Sequence, residues 1–142
     1  MAANFSVKDF SKEDSMYNWN NYALSSEECV IFGKPFNEDP IEISIHEKQS
    51  LEKLISGINE YLNWLGGECK DELISYYNEN MDAEEKANDD WYNKLEIYRV
   101  LLTITENGKF FAEISCGDNY WEDHILDIEI EYKKVTSMDY DG

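Results

Sequence analysis

The segment from Cys116 to His124 holds the densest group of side chains that could do chemistry. Its residues of metal-ligand type are Cys116, Asp118, Glu122, Asp123 and His124. Their spacing matches neither a zinc pattern nor a calcium loop, which needs about twelve residues with alternating oxygen ligands. We therefore predict no metal site here. Two interpretations stay open. In the first, Asp118 and Asn119 satisfy backbone groups of a turn and Trp121 covers the core. In the second, the segment is a partner-binding loop, since Tyr and Trp are favoured interface anchors.

Residues for catalysis are not arranged in any recognisable pattern. Carboxylates are so numerous that a chance pair carries no information about acid–base catalysis. His46 and His124 are the only histidines, and no cysteine has a histidine neighbour. No serine lies in a Gly-x-Ser-x-Gly turn, and Gly66-Gly67 lacks the Lys-Ser/Thr or third glycine of a phosphate-binding loop. We predict no catalytic residue and no cofactor, so the protein is not expected to be an enzyme.

The net charge is the most unusual property of the sequence. Twelve basic residues stand against 31 acidic ones, which gives a formal charge of −19. Such a charge repels nucleic acid and anionic membranes and attracts cationic partners. A basic protein is therefore the expected partner. The alternative is that the charge only keeps the protein in solution.

Acidic residues concentrate in two places, on a predicted third helix and on the outer side of the last predicted strand. The second group consists of Asp127, Glu129 and Glu131. Charge complementarity of this kind mainly raises association rate and selectivity. Together with the aromatic segment, the first group gives our candidate partner-binding residues: Glu84, Glu85, Asp89, Asp90, Asp118, Tyr120, Trp121, Glu122 and Asp123.

The elements that position these residues centre on an antiparallel meander between Leu95 and Lys133. Three stretches alternate apolar and polar residues, the period of a half-buried strand; their apolar members are Tyr98, Val100, Leu102 and Ile104, then Phe110, Ala112, Ile114 and Cys116, then Leu126, Ile128, Ile130 and Tyr132. A three-residue turn, Glu106-Asn107-Gly108, pairs Thr105 with Lys109 and keeps the apolar side chains on one face. This register predicts a positive φ at Gly108.

Residues 1–26 are predicted to form an irregular arm, and residues 27–142 a single domain. The aromatic residues of the arm, expected to dock on the core, are Phe5, Phe10, Tyr17, Trp19 and Tyr22. Short strands are predicted at Glu28–Phe32 and Ile41–Ile45. Three helices follow: one from Leu51 to Leu65 that Gly66-Gly67 stops, one from Cys69 to Met81, and one that Asp82 caps. Gly57, inside the first helix, indicates close approach to the sheet.

This order of elements predicts an α+β fold. We expect an antiparallel sheet, formed by the C-terminal three-stranded meander and one or two N-terminal strands, with two or three helices packed on one face. No stretch approaches the length of a membrane span, and the N-terminus lacks the pattern of a signal peptide. Three widely spaced cysteines are expected to be reduced core thiols, which favours a cytoplasmic location.

The sequence resembles small acidic bacterial proteins that carry an uncharacterised domain, some of which are immunity proteins of polymorphic toxins. The resemblance covers roughly residues 30 to 132. It is carried by the strand Ile41–Ile45, the helical middle, Trp91 before the long strand, and the ending Tyr120-Trp121-Glu122-Asp123-His124-Ile125. It implies an α+β domain, a cytoplasmic bacterial setting and a toxin-neutralising role, and it supplies no site residues.

From these observations we predict a non-enzymatic protein-binding protein. The most concrete form is an immunity protein that neutralises a basic bacterial toxin through an acidic surface. The alternatives are a cytoplasmic structural or regulatory domain and a small metal-dependent hydrolase.

Overall fold

A computed structural model describes residues 3–141 and shows an α+β fold, as the sequence predicts. Within these residues the strands are β1 (Phe10–Lys12), β2 (Trp19–Leu24), β3 (Val30–Ile31), β4 (Lys34–Pro35), β5 (Ile41–His46), β6 (Glu96–Ile104), β7 (Phe110–Gly117), β8 (Ile125–Glu131) and β9 (Lys134–Asp141). The α-helices are α1 (Leu51–Asn63), α2 (Lys70–Asn80) and α3 (Asp89–Asn93).

Seven of these strands form one mostly antiparallel sheet in the order β1-β2-β5-β6-β7-β8-β9, and β3 pairs with β4 in a separate hairpin. The one parallel pair is β5 with β6, and all three helices lie in the chain segment that connects these two strands. Parallel neighbours need such a crossover because a tight turn cannot join them.

One face of the sheet is apolar and buried. The register places Val100 opposite Ile114, and Ile114 opposite Ile128, and all three side chains are at most 1% exposed. Each such side chain contributes roughly 1.5–3 kcal/mol when it leaves water. Helix α1 contributes to the same core, where the ring of Tyr61 meets that of Phe110 with centroids 5.5 Å apart.

The predicted closeness of Gly57 to the sheet is confirmed. A Cβ atom at this position would lie 3.2 Å from Cζ of Phe110 on β7. A Cβ atom there would require the ring of Phe110 to shift by a few tenths of an ångström, because real Cβ contacts are rarely this short. Glycine at this position therefore lets helix α1 pack closely on the ring of Phe110.

The predicted register of the first hairpin is also confirmed. Ile104 pairs with Phe110 and Leu102 with Ala112, while the amide of Thr105 donates to the carbonyl of Lys109 at 3.0 Å. Gly108 has φ +79°, in the left-handed region that glycine adopts without strain.

Replacing Gly108 by alanine should therefore lower the free energy of unfolding by about 1 kcal/mol, because alanine pays a steric cost at positive φ. Urea unfolding followed by circular dichroism measures this. Gly67→Ala is the control, since a Cβ there meets no atom within 4 Å and no positive φ is imposed. A loss no greater for Gly108→Ala than for Gly67→Ala would contradict the turn assignment.

The prediction that residues 1–26 form an irregular arm is wrong at two places. Strand β1 pairs with β2, and β2 pairs along its whole length with β5, from Trp19 opposite His46 to Leu24 opposite Ile41. The stretch Trp19-Asn-Asn-Tyr22 lacks a clear period, because its side chains are half-buried on both faces. Among the arm's aromatic residues, Phe5 and Phe10 are buried and Tyr17 is 91% exposed.

The predicted sheet is too small, and one of its ladders is parallel where only antiparallel pairing was expected. Strand β9 continues the meander beyond β8 and was not predicted. Two features make this strand difficult to recognise from the sequence. The connecting turn at Tyr132-Lys133 contains no glycine, although Tyr132 has φ +51°. A bulge near Val135 then breaks the alternation of apolar residues.

The third helix begins later than predicted, which moves two candidate residues into a loop. Its N-cap is Asn88, whose side chain accepts a hydrogen bond from the amide of Trp91 at 2.9 Å, and not Asp82. Residues 81–88 form a loop that Asn78 holds through hydrogen bonds to both backbone groups of Ala87, at 2.7 and 3.1 Å. This side-chain support replaces the helical bonds we expected.

Two smaller predictions are also corrected. Helix α1 does not stop at Gly66-Gly67; the chain passes through a wider π-helical turn, Trp64–Glu68, and continues into α2. Tyr98 does not belong to the apolar face. A bulge between Ile97 and Arg99 turns it outward, and it is 48% exposed.

The three cysteines, Cys29, Cys69 and Cys116, are unbonded and buried, in agreement with their prediction as core thiols. No helix within residues 3–141 combines the length and apolar character required to cross a bilayer.

Candidate partner-binding groove

Two separately predicted groups of candidate residues meet in one groove. The loop after α2 brings Glu84 and Glu85 to one wall, and the β7–β8 connection brings Tyr120 and Trp121 to another. The groove encloses about 680 Å³. We call it the acidic groove and define it by its lining: Tyr77, Asn80, Met81, Asp82, Ala83, Glu84, Glu85, Tyr120, Trp121, Met138, Asp139 and Tyr140.

The lining carries four acidic residues and no lysine, arginine or histidine. Asp82, Glu84 and Glu85 lie on the loop after α2 and Asp139 lies on β9, and all four side chains are exposed. The carboxylate of Asp139 is on the outer face of the sheet, opposite Asp127. None of the four belongs to an ion pair within residues 3–141. Carboxylates that converge without counter-charges attract cations, and a concave wall concentrates their field.

Aromatic rings form the remaining wall of the groove. The hydroxyl of Tyr120 donates to the carbonyl of Lys86 at 2.7 Å, which ties the β7–β8 connection to the loop of residues 81–88. Trp121 is 50% exposed, and its ring lies 4.0 Å from the ring of His124 and 5.0 Å from that of Tyr140, measured between centroids. Trp121 is therefore a half-exposed ring supported by two neighbours, which can contact a cationic or apolar side chain.

Asp118 lies beneath this wall and does not face solvent. It is 5% exposed, and its Oδ2 accepts hydrogen bonds from Trp91 Nε1, at 2.9 Å, and from the hydroxyl of Tyr140. Its Oδ1 accepts from the amides of Tyr120 at 3.2 Å and Trp121 at 3.0 Å. Asp118 thus shapes the aromatic wall from below, and any effect it has on binding acts through the position of that wall.

The tyrosines near the groove stay protonated at neutral pH. Partial burial, followed by the hydrogen bond to Asp118, raises the pKa of Tyr140. Desolvation, followed by the charges of Glu85 and Asp90, raises the pKa of Tyr120. Both residues therefore act as neutral hydroxyl donors rather than as bases.

The other four predicted residues do not line the groove. Asp89 and Asp90 occupy the first turn of α3, where Lys70 and Lys94 pair with them at 3.4 and 3.2 Å. Glu122 lines a different depression, and Asp123 is exposed on the β7–β8 connection. The predicted cluster of Glu84, Glu85, Asp89 and Asp90 on one helix is thus divided between a loop with free charge and a helix whose charge is partly neutralised.

The outer face of the sheet carries a second acidic surface, which ends beside the groove. Glu113 stands directly opposite Glu129, and Asp127 directly opposite Asp139. Like charges at such positions are destabilising. Asp139 lies between Met138 and Tyr140 on β9, so the outer acidic surface ends at the strand that forms one wall of the acidic groove.

Sequence reasoning missed the wall of the groove that β9 supplies. Met138, Asp139 and Tyr140 lie on the strand that the sequence did not reveal, and Asp82 was interpreted only as a helix cap. The spacing of Val135 and Met138, both buried, is the remaining apolar signal, and the bulge makes it look unlike a strand.

The groove offers charge, aromatic faces and hydroxyl donors for recognition. Within residues 3–141 no three His, Cys, Asp or Glu side chains come close enough together to hold a metal ion. Comparisons of this chain with protein-family models, with curated proteins and with solved structures gave no match.

Proposed function

We propose that this protein is a non-enzymatic binding protein that neutralises a basic bacterial toxin by protein–protein contact. The observation that supports this most directly is the acidic groove, where Asp82, Glu84 and Glu85 line one wall without ion-pair partners and a half-exposed tryptophan lines another. Tryptophan at the centre of a concave patch is a frequent anchor of protein interfaces. Arginine and lysine are the complementary side chains, because they pair with carboxylates and stack on aromatic faces.

Charge repulsion in the free protein adds a second reason. Glu113 and Glu129, and likewise Asp127 and Asp139, face each other across neighbouring strands. A basic partner on this side would reduce that repulsion, so binding would gain energy beyond the direct contacts. The net charge of −19 would also speed the encounter with a cationic protein.

The toxin-neutralising role rests on the resemblance to immunity proteins together with this surface. An inhibitor of a cationic toxin can occupy the surface that the toxin uses for an anionic substrate such as nucleic acid. The expected location is the cytoplasm, where such an inhibitor would protect its own cell.

The proposal can be tested with a pair of charge-reversal variants. We expect that the wild-type protein captures a basic protein from a lysate of the native host, and that the captured protein arrests growth when it is expressed alone. Co-expression of the wild-type chain should restore growth. Glu84→Lys combined with Glu85→Lys should weaken binding at least about thirtyfold, because two attractions become repulsions at a desolvated site. Isothermal titration calorimetry measures the affinity.

The matched control is Glu27→Lys combined with Glu28→Lys, which makes the same change in net charge at two exposed neighbours outside the groove. It should weaken binding far less, and both affinities should fall as salt rises through about 0.15 M. Equal losses in the two double variants would show that only net charge matters. A captured partner that is harmless to cells would contradict the toxin-neutralising role.

A further inference from the structure

Strand β9 forms one edge of the sheet, and only half of that edge is covered. Among the described residues it has β8 on one side and no strand on the other. Helix α2 covers the first half: the amide of Val135 donates to Glu72 Oε2 at 2.7 Å, and the hydroxyl of Tyr76 donates to the carbonyl of Thr136 at 3.1 Å. Side chains thus satisfy the edge where the helix passes it.

The second half of the edge, residues 137–141, runs beside the acidic groove. Met138, Asp139 and Tyr140 form one wall of the groove, and the loop of residues 81–88 contributes the opposite wall. In an antiparallel pair, alternate residues point their amide and carbonyl groups away from the neighbouring strand. Backbone groups of β9 therefore point away from β8 along the same stretch that carries the groove.

The charges along this edge select among possible occupants. A second copy of this chain would bring further carboxylates against Asp139 and Asp141, both of which are exposed. An extended basic segment would instead place cations beside these residues and beside Glu84 and Glu85. Charged residues on an edge strand disfavour pairing with a like-charged strand, whereas a basic strand would be attracted to this edge.

We propose that β9 accepts an additional strand from the basic partner, and that lysine or arginine side chains of this strand enter the acidic groove. This inference rests on the proposed function and specifies how the partner binds. Main-chain hydrogen bonds to residues 137–141 supply affinity, and the carboxylates with Trp121 supply selectivity. The opposite edge of the sheet, β1, offers only Phe10–Lys12 and carries a lysine, so it is a poor site for a basic strand.

Two synthetic peptides test the proposal with the intact protein. The first is an N-acetylated, C-amidated hexapeptide of alternating arginine and valine; the second has the same sequence with every backbone amide methylated. Amide spectra of the ¹⁵N-labelled protein should show shifts in residues 137–141 and in the indole N–H of Trp121 when the first peptide is added. The methylated peptide should bind at least about tenfold more weakly, because its charges remain but its strand donors are lost.

Equal binding of the two peptides, with shifts confined to residues 82–85 and 120–121, would overturn strand addition and leave the groove as a charge-recognition site. Shifts in β1 instead of β9, or no shifts with either peptide, would also overturn it. The growth-rescue experiment tests the proposed function separately, because its result does not depend on whether the partner's backbone pairs with β9. Amide protection of residues 137–141 in the complex with the captured partner would support the proposal.

Discussion

Replacing Asp118 by alanine is expected to lower the free energy of unfolding by at least about 3 kcal/mol. The substitution removes the acceptor of the fully buried indole N–H of Trp91 and leaves that donor without a partner. It also removes the acceptor of the Tyr140 hydroxyl and of two backbone amides in the β7–β8 connection. A buried donor without a partner costs roughly 1–3 kcal/mol, and hydrogen bonds to a charged group contribute more than neutral ones. Urea unfolding followed by tryptophan fluorescence measures the loss.

Asp123→Ala is the matched control, because it removes the same group from an exposed position of the same connection. It should change stability by no more than about 0.5 kcal/mol. Combining Asp118→Ala with Trp91→Phe removes the indole N–H donor together with its acceptor. The double variant should therefore lose less unfolding free energy than the sum of the losses in the two single variants. Strict additivity, or a loss below about 1 kcal/mol for Asp118→Ala, would show that this carboxylate does not hold the elements together.

Stability should be constant near neutral pH and fall steeply in alkali. Burial raises the pKa of Cys69 from its usual 9.0 to about 12, and the side chain is 0% exposed. Burial also raises the pKa values of Tyr61, Tyr92 and Cys116. The folded state keeps these protons to a higher pH than the unfolded state does. The contribution is therefore fully present below pH 9 and is lost as pH rises through about 12. For Cys69 alone, a shift from 9.0 to about 12 corresponds to about 4 kcal/mol.

The test is the slope of unfolding free energy against pH, from urea titrations between about pH 8 and 11.5. Cys69→Ala should lower stability at every pH because it leaves a cavity in the core, yet its slope should be shallower by about 1.4 kcal/mol per pH unit. Cys29→Ala serves for comparison, since burial raises the pKa of that thiol as well, but not by an amount as large as at Cys69. A slope unchanged by Cys69→Ala would mean that this thiol ionises equally in both states.

The parts of the fold that the sequence predicted are those where local chemistry allows one arrangement. Gly108 and the alternation around it admit a single register, because a slip by one residue would expose the whole apolar face. Strand β9 was not predicted because Tyr132 adopts a left-handed conformation in a turn without glycine, and a bulge follows directly after that turn. Helix α3 was misplaced because Asn78, which holds the loop before it, acts from a different element.

The candidate site was predicted in pieces. Charge and aromatic content identified Glu84, Glu85, Tyr120 and Trp121, but only the tertiary fold brings the two pairs to one groove. Asp118 looked like its acidic neighbours in the sequence, and its burial depends on Trp91 and Tyr140, both distant along the chain. Burial of a single carboxylate follows from such distant partners, so residue type alone could not separate Asp118 from the surface acids.

The single parallel ladder between β5 and β6 also has a consequence for biosynthesis. On the ribosome, Glu42 to Ile45 are made early, while their partner residues on β6, Leu101 to Ile104, appear only after all three helices. Until then β5 has an unpaired backbone edge and carries three isoleucines, Ile41, Ile43 and Ile45, on one face. Unpaired, apolar strands of this kind are prone to aggregate. Strands β6, β7, β8 and β9 pair consecutively, so each of their hairpins can form as soon as its second strand has been synthesised. We therefore expect pairing of β5 with β6, rather than hairpin formation, to be the rate-limiting step in folding of the nascent chain.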